Sequence, residues 1–144
     1  MSRQTPDTRD LYRYYSNITT RWMDNDPYAH VNNVVYYSWF DTAVNGYLID
    51  QGVLDLHASK EVGLVVETSC QYFSPIAFPD RVCAGVRVAK LGTSSVRYEI
   101  GIFREQQQEA SAQGYFVHVY VDRDKQKPVE IPASIRDALA AIQI

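Results

Sequence analysis

Between Arg21 and Asn33 the chain reads Arg-Trp-Met-Asp-Asn-Asp-Pro-Tyr-Ala-His-Val-Asn-Asn. Two carboxylates (Asp24, Asp26), an imidazole (His30) and two carboxamides (Asn32, Asn33) stand just ahead of a stretch patterned as a helix. The first N–H groups of a helix have no partner within it and carry a partial positive charge. Aimed at a carbonyl, they stabilise the oxyanion that forms when a thioester is attacked. A carboxylate nearby can act as nucleophile, or as general base for a water. Both halves of a hydrolytic site are thus available without a Ser or Cys nucleophile. The same residues also suit a plain structural role, with the acids favouring a helix start and His30 and the Asn pair forming turns and caps.

These groups need elements to hold them. The pattern predicts a first strand over 15–22, rich in β-formers, then a polar loop over 23–33. A long helix follows over 34–51. Its apolar positions leave only the narrow stripe Ser38, Asp41, Thr42 and Asn45, so most of its surface should be buried. Asn32 or Asn33 supplies an N-cap and Gly52 a stop. Beyond a charged connection around 57–61 the period changes to two. Val66, Cys70 and Tyr72 predict one strand, Val82 to Val88 a second, Val96 to Ile102 a third and Tyr115 to Val121 a fourth. Turns fall at Leu91-Gly92-Thr93 and over 105–109, and a short helix is expected over 133–142. One strand, one buried helix and four antiparallel strands make an α+β domain. A single sheet curled around that helix leaves an edge strand to protect, and pairing two sheets across a two-fold axis would protect it, so at least a dimer is expected.

Composition agrees with one folded domain spanning 1–144, with 1–14 as a polar N-terminal tail. The 144 residues are 46% hydrophobic and 22% charged, near the globular average. Eleven Tyr outnumber five Phe and two Trp, which suits a ligand cleft, a subunit interface or half-buried strands. The net charge of −3 and the lack of a basic block argue against nucleic-acid binding. Cys70 and Cys83 sit in strand-like patterns away from any metal spacing and read as reduced core residues. No apolar stretch approaches membrane-spanning length and the first residues are polar, so a cytoplasmic location is expected. No cofactor and no metal is implied.

The pattern R-W-x-D-x-D-x-x-x-H-V-N-N-x-x-Y-x-x-x-F-(D/E), here Arg21 to Asp41, resembles the 4-hydroxybenzoyl-CoA thioesterase-like branch of the hotdog superfamily, and especially its acyl-CoA thioesterases. The likeness continues through Tyr72-Phe73-Ser74-Pro75 with Asp80, through Leu91 to Ser95, and through Val119 to Asp122 with Pro128 and Ile131-Pro132. It implies a hotdog fold, a five-stranded antiparallel sheet wrapped around one long central helix, and hydrolysis of an acyl-CoA to free acid and CoA. The family's catalytic carboxylate falls on Asp26, and its oxyanion donor on the backbone N–H near Asn33. His30 and Asn32 match motif positions and are expected to shape the loop or position water. Tyr28, bulky beside Asp26, is expected to narrow the acyl pocket, and Asp41, on the polar stripe about two turns into the helix, faces either the acyl end of the pocket or solvent. Lys90, Ser94, Ser95 and Arg97 resemble the basic, hydroxyl-rich edge where the family holds the nucleotide end. A homodimer or dimer of dimers completes the picture.

The family often has Gly where Met23 and Ala29 stand, so a side chain there is strained if either position needs a positive φ. Two other readings remain open. A non-catalytic acyl-thioester binder would share the fold. A hotdog hydratase would need a motif like D-x-N-P-x-H, and Asp24 to His30 departs from it by an Asp in place of Asn and one extra residue before the His.

Overall fold

A computed structural model describes residues 5–55 and 57–144. Strand β1 (Tyr14–Thr19) leads through a single 3-10 turn (Trp22–Asp24) to helix α1 (Asn33–Asp50). Strands β2 (Glu61–Tyr72), β3 (Arg81–Leu91), β4 (Ser95–Arg104) and β5 (Ala112–Asp122) follow, and a short helix α2 (Ala133–Ala140) comes last. The five strands form one antiparallel sheet in the order β1-β3-β4-β5-β2. The sheet wraps α1, as expected from the sequence.

The helix lies where its pattern requires. Tyr36, Trp39, Phe40, Ala43, Val44, Tyr47 and Leu48 are buried, while Ser38, Asp41 and Thr42 stay exposed. Val34 and Ile49 extend that exposed stripe at either end. Asn32 is the N-cap, its side-chain oxygen accepting the Val34 N–H at 3.0 Å, and Gly52 at φ 72° follows the last turn. The inward residues of the sheet, among them Val86, Val88, Tyr98, Ile100, Ile102 and Phe116, pack beneath the helix. At Gly114 a side chain would lie 3.0 Å from the Phe40 ring and still closer to the Ser69 carbonyl, so the bare backbone there lets helix and neighbouring strand close in.

Three features depart most from the expectation. The first strand stops at Thr19. Strand β2 starts at Glu61, inside what reads as a connection, because a bulge between Val65 and Glu67 breaks the alternation of its apolar residues. The third concerns the expected N-terminal tail. Residues 1–4 lie outside the described part, but 5–13 are bonded across the outer face of the sheet. The Ala110 N–H donates to the Asp7 carbonyl at 2.9 Å, Arg13 donates to Val86 at 3.0 Å, and the Arg9 guanidinium donates to carbonyls of the β4–β5 turn. Tyr12 is buried with Phe103 and Ala110 over Gly85 and Gly101, where side chains would collide with its ring. Asp7 and Glu99 both pair with Arg87 (3.1 and 2.8 Å). A polar segment can therefore be ordered by charge and hydrogen bonds around one buried ring.

The two edges of the sheet are unequal. Strand β1 is six residues long and β2 is twelve, and β2 exposes Leu64, Val65 and Val66.

Candidate active site

The loop before α1 is a small closed structure. Asn25 and Val31 form an isolated antiparallel bridge. Above it the Asp26 N–H donates to the His30 carbonyl at 2.8 Å, and the Ala29 N–H returns to the Asp26 carbonyl at 3.0 Å. Ala29 makes the turn at φ 62°. Of the two positions where the family often has Gly, Ala29 is thus left-handed; Met23 is not among the positive-φ residues. The base of the loop is tied to the segment after β2. The Val31 N–H donates to the Ile76 carbonyl at 2.7 Å, and the Phe78 N–H to the Asn25 side chain at 3.0 Å.

This arrangement holds the Asp26 carboxylate half-buried. Its Oδ1 accepts the N–H groups of Tyr28 (2.9 Å) and His30 (3.4 Å), so the group has one fixed orientation. Its Oδ2 makes no hydrogen bond among the described residues and is available to a ligand. Asp26 lines a cleft of about 450 Å³ together with His30, Asn33, Tyr36, Tyr72 and Ser74. Asn33 opens α1, and its N–H has no acceptor among the described residues, whereas those of Val34 and Val35 are taken by Asn32. Asp26 and Asn33 thus line one cleft, and they carry a carboxylate oxygen and a helix N–H that have no hydrogen-bond partner among the described residues, the kinds of group that acyl hydrolysis uses.

The far wall is aromatic. Tyr36 and Tyr72 meet edge to face at 5.0 Å, and the Tyr72 hydroxyl donates to the Asn33 carbonyl at 3.1 Å. Burial raises the Tyr36 phenol to about 12, so it stays protonated near neutrality. The motif Tyr72-Phe73-Ser74-Pro75 carries this wall in the sequence, but only the fold shows it facing Asp26.

The other expected site residues divide. Tyr28 stands exposed on the loop beside Asp26, not on the wall of the cleft. Asp41 lies eight residues into α1 on the exposed stripe, outside the cleft lining, and partial desolvation raises its pKa. Lys90, Ser94 and Ser95 lie at the opposite end of the sheet. Strand β5 runs from Ala112, level with Tyr72, to Val119, level with Ser95, which is about 20–25 Å. Their turn is braced by Arg136, which donates to the Gly92 and Thr93 carbonyls at 2.8 and 3.1 Å. Arg97 turns to the face away from α1, over the Tyr115 ring at 3.7 Å and 3.6 Å from Glu99. Within one chain these four residues do not meet Asp26.

Among the described residues no cluster of three or more His, Cys, Asp or Glu could hold a metal ion, and no helix is long and apolar enough to cross a membrane.

A family model described as the thioesterase-like superfamily matches residues 20–139. None of the curated proteins matches. Among solved structures, a protein of Pseudomonas aeruginosa strain PAO1 is 56% identical, with 96% of each chain covered and a TM-score of 0.94. A gentisyl-coenzyme A thioesterase is 25% identical over 88% of this chain and 99% of its own, with a TM-score of 0.77. A 1,4-dihydroxy-2-naphthoyl-CoA thioesterase from Synechocystis, 15% identical over 88% and 95% of the two chains, shares the fold with a TM-score of 0.80.

Proposed function

The chain belongs to the thioesterase-like superfamily of hotdog-fold proteins, and we propose that it hydrolyses acyl-CoA thioesters to the free carboxylic acid and CoA, with Asp26 as the reacting carboxylate. The observation that carries this reading is the cleft lined by both Asp26 and Asn33, whose Oδ2 and N–H have no partner among the described residues. The thioester carbonyl oxygen points at the Asn33 N–H and the positive end of α1, where charge developing on it is stabilised. Asp26 Oδ2 then either attacks the carbonyl carbon, expelling the CoA thiolate and leaving a mixed anhydride that water hydrolyses to the free acid, or takes the proton of a water that attacks the carbon as the thiolate leaves. His30 and Asn32 hold the loop, His30 through its carbonyl and N–H, Asn32 as the helix cap.

We place the working unit in a homodimer or dimer of dimers. Antiparallel pairing of β2 with the β2 of a second copy would cover Leu64, Val65 and Val66. Across a two-fold axis it also brings the Glu61 end of one strand beside the Tyr72 end of the other. The turn carrying Lys90, Ser94 and Ser95 in one copy then approaches the Asp26 cleft of its neighbour, with cations and hydroxyls for CoA phosphates. This resolves the separation of those residues within one chain. Asp41, on the exposed stripe, would border the acyl group in the same way.

The test is thiol release from a panel of acyl-CoAs by the wild type and Asp26→Asn. A loss of about 100-fold or more in a folded Asp26→Asn protein is expected. Equal rates would remove Asp26 from the chemistry. Binding of CoA esters with no turnover of any would make the chain an acyl-thioester binder.

A further inference from the structure

The first acid of the loop, Asp24, does not reach the cleft, yet it is the most buried carboxylate there, at 1% exposure. Its Oδ2 accepts the Arg21 N–H at 2.8 Å, and its Oδ1 accepts Nε and an Nη of the Arg21 guanidinium at 3.0 and 2.8 Å. Its own N–H donates to the Arg21 carbonyl at 2.9 Å, and its carbonyl accepts the N–H of Asn32 at 2.8 Å. Asp24 therefore holds the chain on both sides of Asp26, its carboxylate through Arg21 before the loop and its backbone carbonyl through Asn32 after it. Asn32 is the residue whose peptide carries the Asn33 N–H. The Arg21 side chain remains 64% exposed, so the pair is no sealed core contact. An ion pair with its cation in water contributes little to stability, and its three hydrogen bonds act mainly on the geometry of the chain.

We propose, on the basis of the reading of Asp26 and Asn33 given above, that Asp24 and Arg21 are positioning residues that set the placement of the Asp26 carboxylate relative to the Asn33 N–H. Neither touches substrate. Loosening the clamp leaves the cleft and its lining in place while Asp26 and Asn33 drift relative to each other. Misplacement by about 1 Å costs on the order of 100-fold in rate, so the loss falls on kcat and spares KM.

The experiment is a mutant cycle on the full chain, read as kcat and KM on one acyl-CoA. Asp24→Asn keeps the volume but cannot accept all three Arg21 hydrogen bonds. It is expected to lower kcat about 10-fold or more with KM within about 2-fold. Arg21→Gln, at an exposed side chain, should fold even where Asp24→Asn does not, and should produce a similar loss. The two changes combined should cost no more than either alone, since both release one clamp. In an Asp26→Asn background Asp24→Asn should have no further effect, because nothing is left to position. Independent, multiplying losses in Asp26→Asn would overturn the proposal, as would full kcat in Asp24→Asn or Arg21→Gln with Asp26→Asn inactive. A wild-type rate unaffected by Asp26→Asn would instead sink the reading of Asp26, and the positioning role with it.

Discussion

At Ala29 the loop around Asp26 turns through φ 62° with a methyl group in the way. For a residue other than Gly the left-handed region is unfavourable by about 1 kcal/mol. Two backbone hydrogen bonds around it, Asp26 to His30 and Ala29 to Asp26, and a third from the Tyr28 N–H to the Asp26 carboxylate hold the turn against that cost. Ala29→Gly is therefore expected to raise stability by up to about 1 kcal/mol, part of it offset by the greater freedom of Gly in the unfolded chain. Denaturant unfolding of the two proteins checks this, and a lower stability for Ala29→Gly would refute the strain. The sequence announces this position only through the likeness to a family that often has Gly there. Nothing in the spacing of Asp24 and Asp26 says that one is buried against Arg21 and the other faces the cleft. The Asp24 carboxylate is held by Arg21 and the Asp26 carboxylate by the N–H groups of Tyr28 and His30, and the backbone bonds that seat the loop, Asn32 to the Asp24 carbonyl and Val31 to that of Ile76, come from chain folded back on it, which local pattern does not reveal.

At the level of elements, β5 carries an imidazole into the core. His118 is 3% exposed, its Nδ1 has no partner among the described residues, and it packs against Phe116 and Tyr98. Desolvation pushes its pKa down to about 4 from 6.5. In the unfolded chain the ring takes up a proton as pH falls through 6.5, whereas in the fold it resists until about 4. The unfolded state thus binds more protons between these values, and stability falls as pH drops across that window, by roughly 3 kcal/mol in all. The melting temperature should decline from pH 7 to pH 4, and His118→Leu should flatten the slope even if it lowers the plateau. Parallel slopes would show that other groups govern the acid limb. Elements were legible wherever their period was clean. Helix α1 lies within a residue of its expected range because its apolar face and Asn32 cap are both explicit. The first half of β2 was not, since Leu64, Val65 and Val66 run consecutively through a bulge and resemble neither period. The outer-face segment 5–13 was not legible either, because its order rests on Arg87, Glu99 and two glycines distant in sequence.

For the whole molecule the decisive quantity is the exposed length of β2. Val65→Lys places a charge on that edge without touching the core, since Val65 is already 47% exposed. On the proposed assembly the variant should elute at the mass of a single chain, keep its fold by circular dichroism and lose thioesterase activity, because the Lys90 and Ser94 end of a second copy no longer reaches the cleft. A dimeric, fully active Val65→Lys protein would contradict β2 pairing. Which end of the sheet meets which cannot be read from a sequence, as it depends on strand register and on a second molecule. The inequality of the two edges has one more effect. The proposed pairing through β2 would use up the long edge of both copies at once and leave the two six-residue β1 edges outside. Such a contact would close on itself: a third copy would find no equivalent strand to join, and raising the concentration would fill pairs without lengthening a fibre.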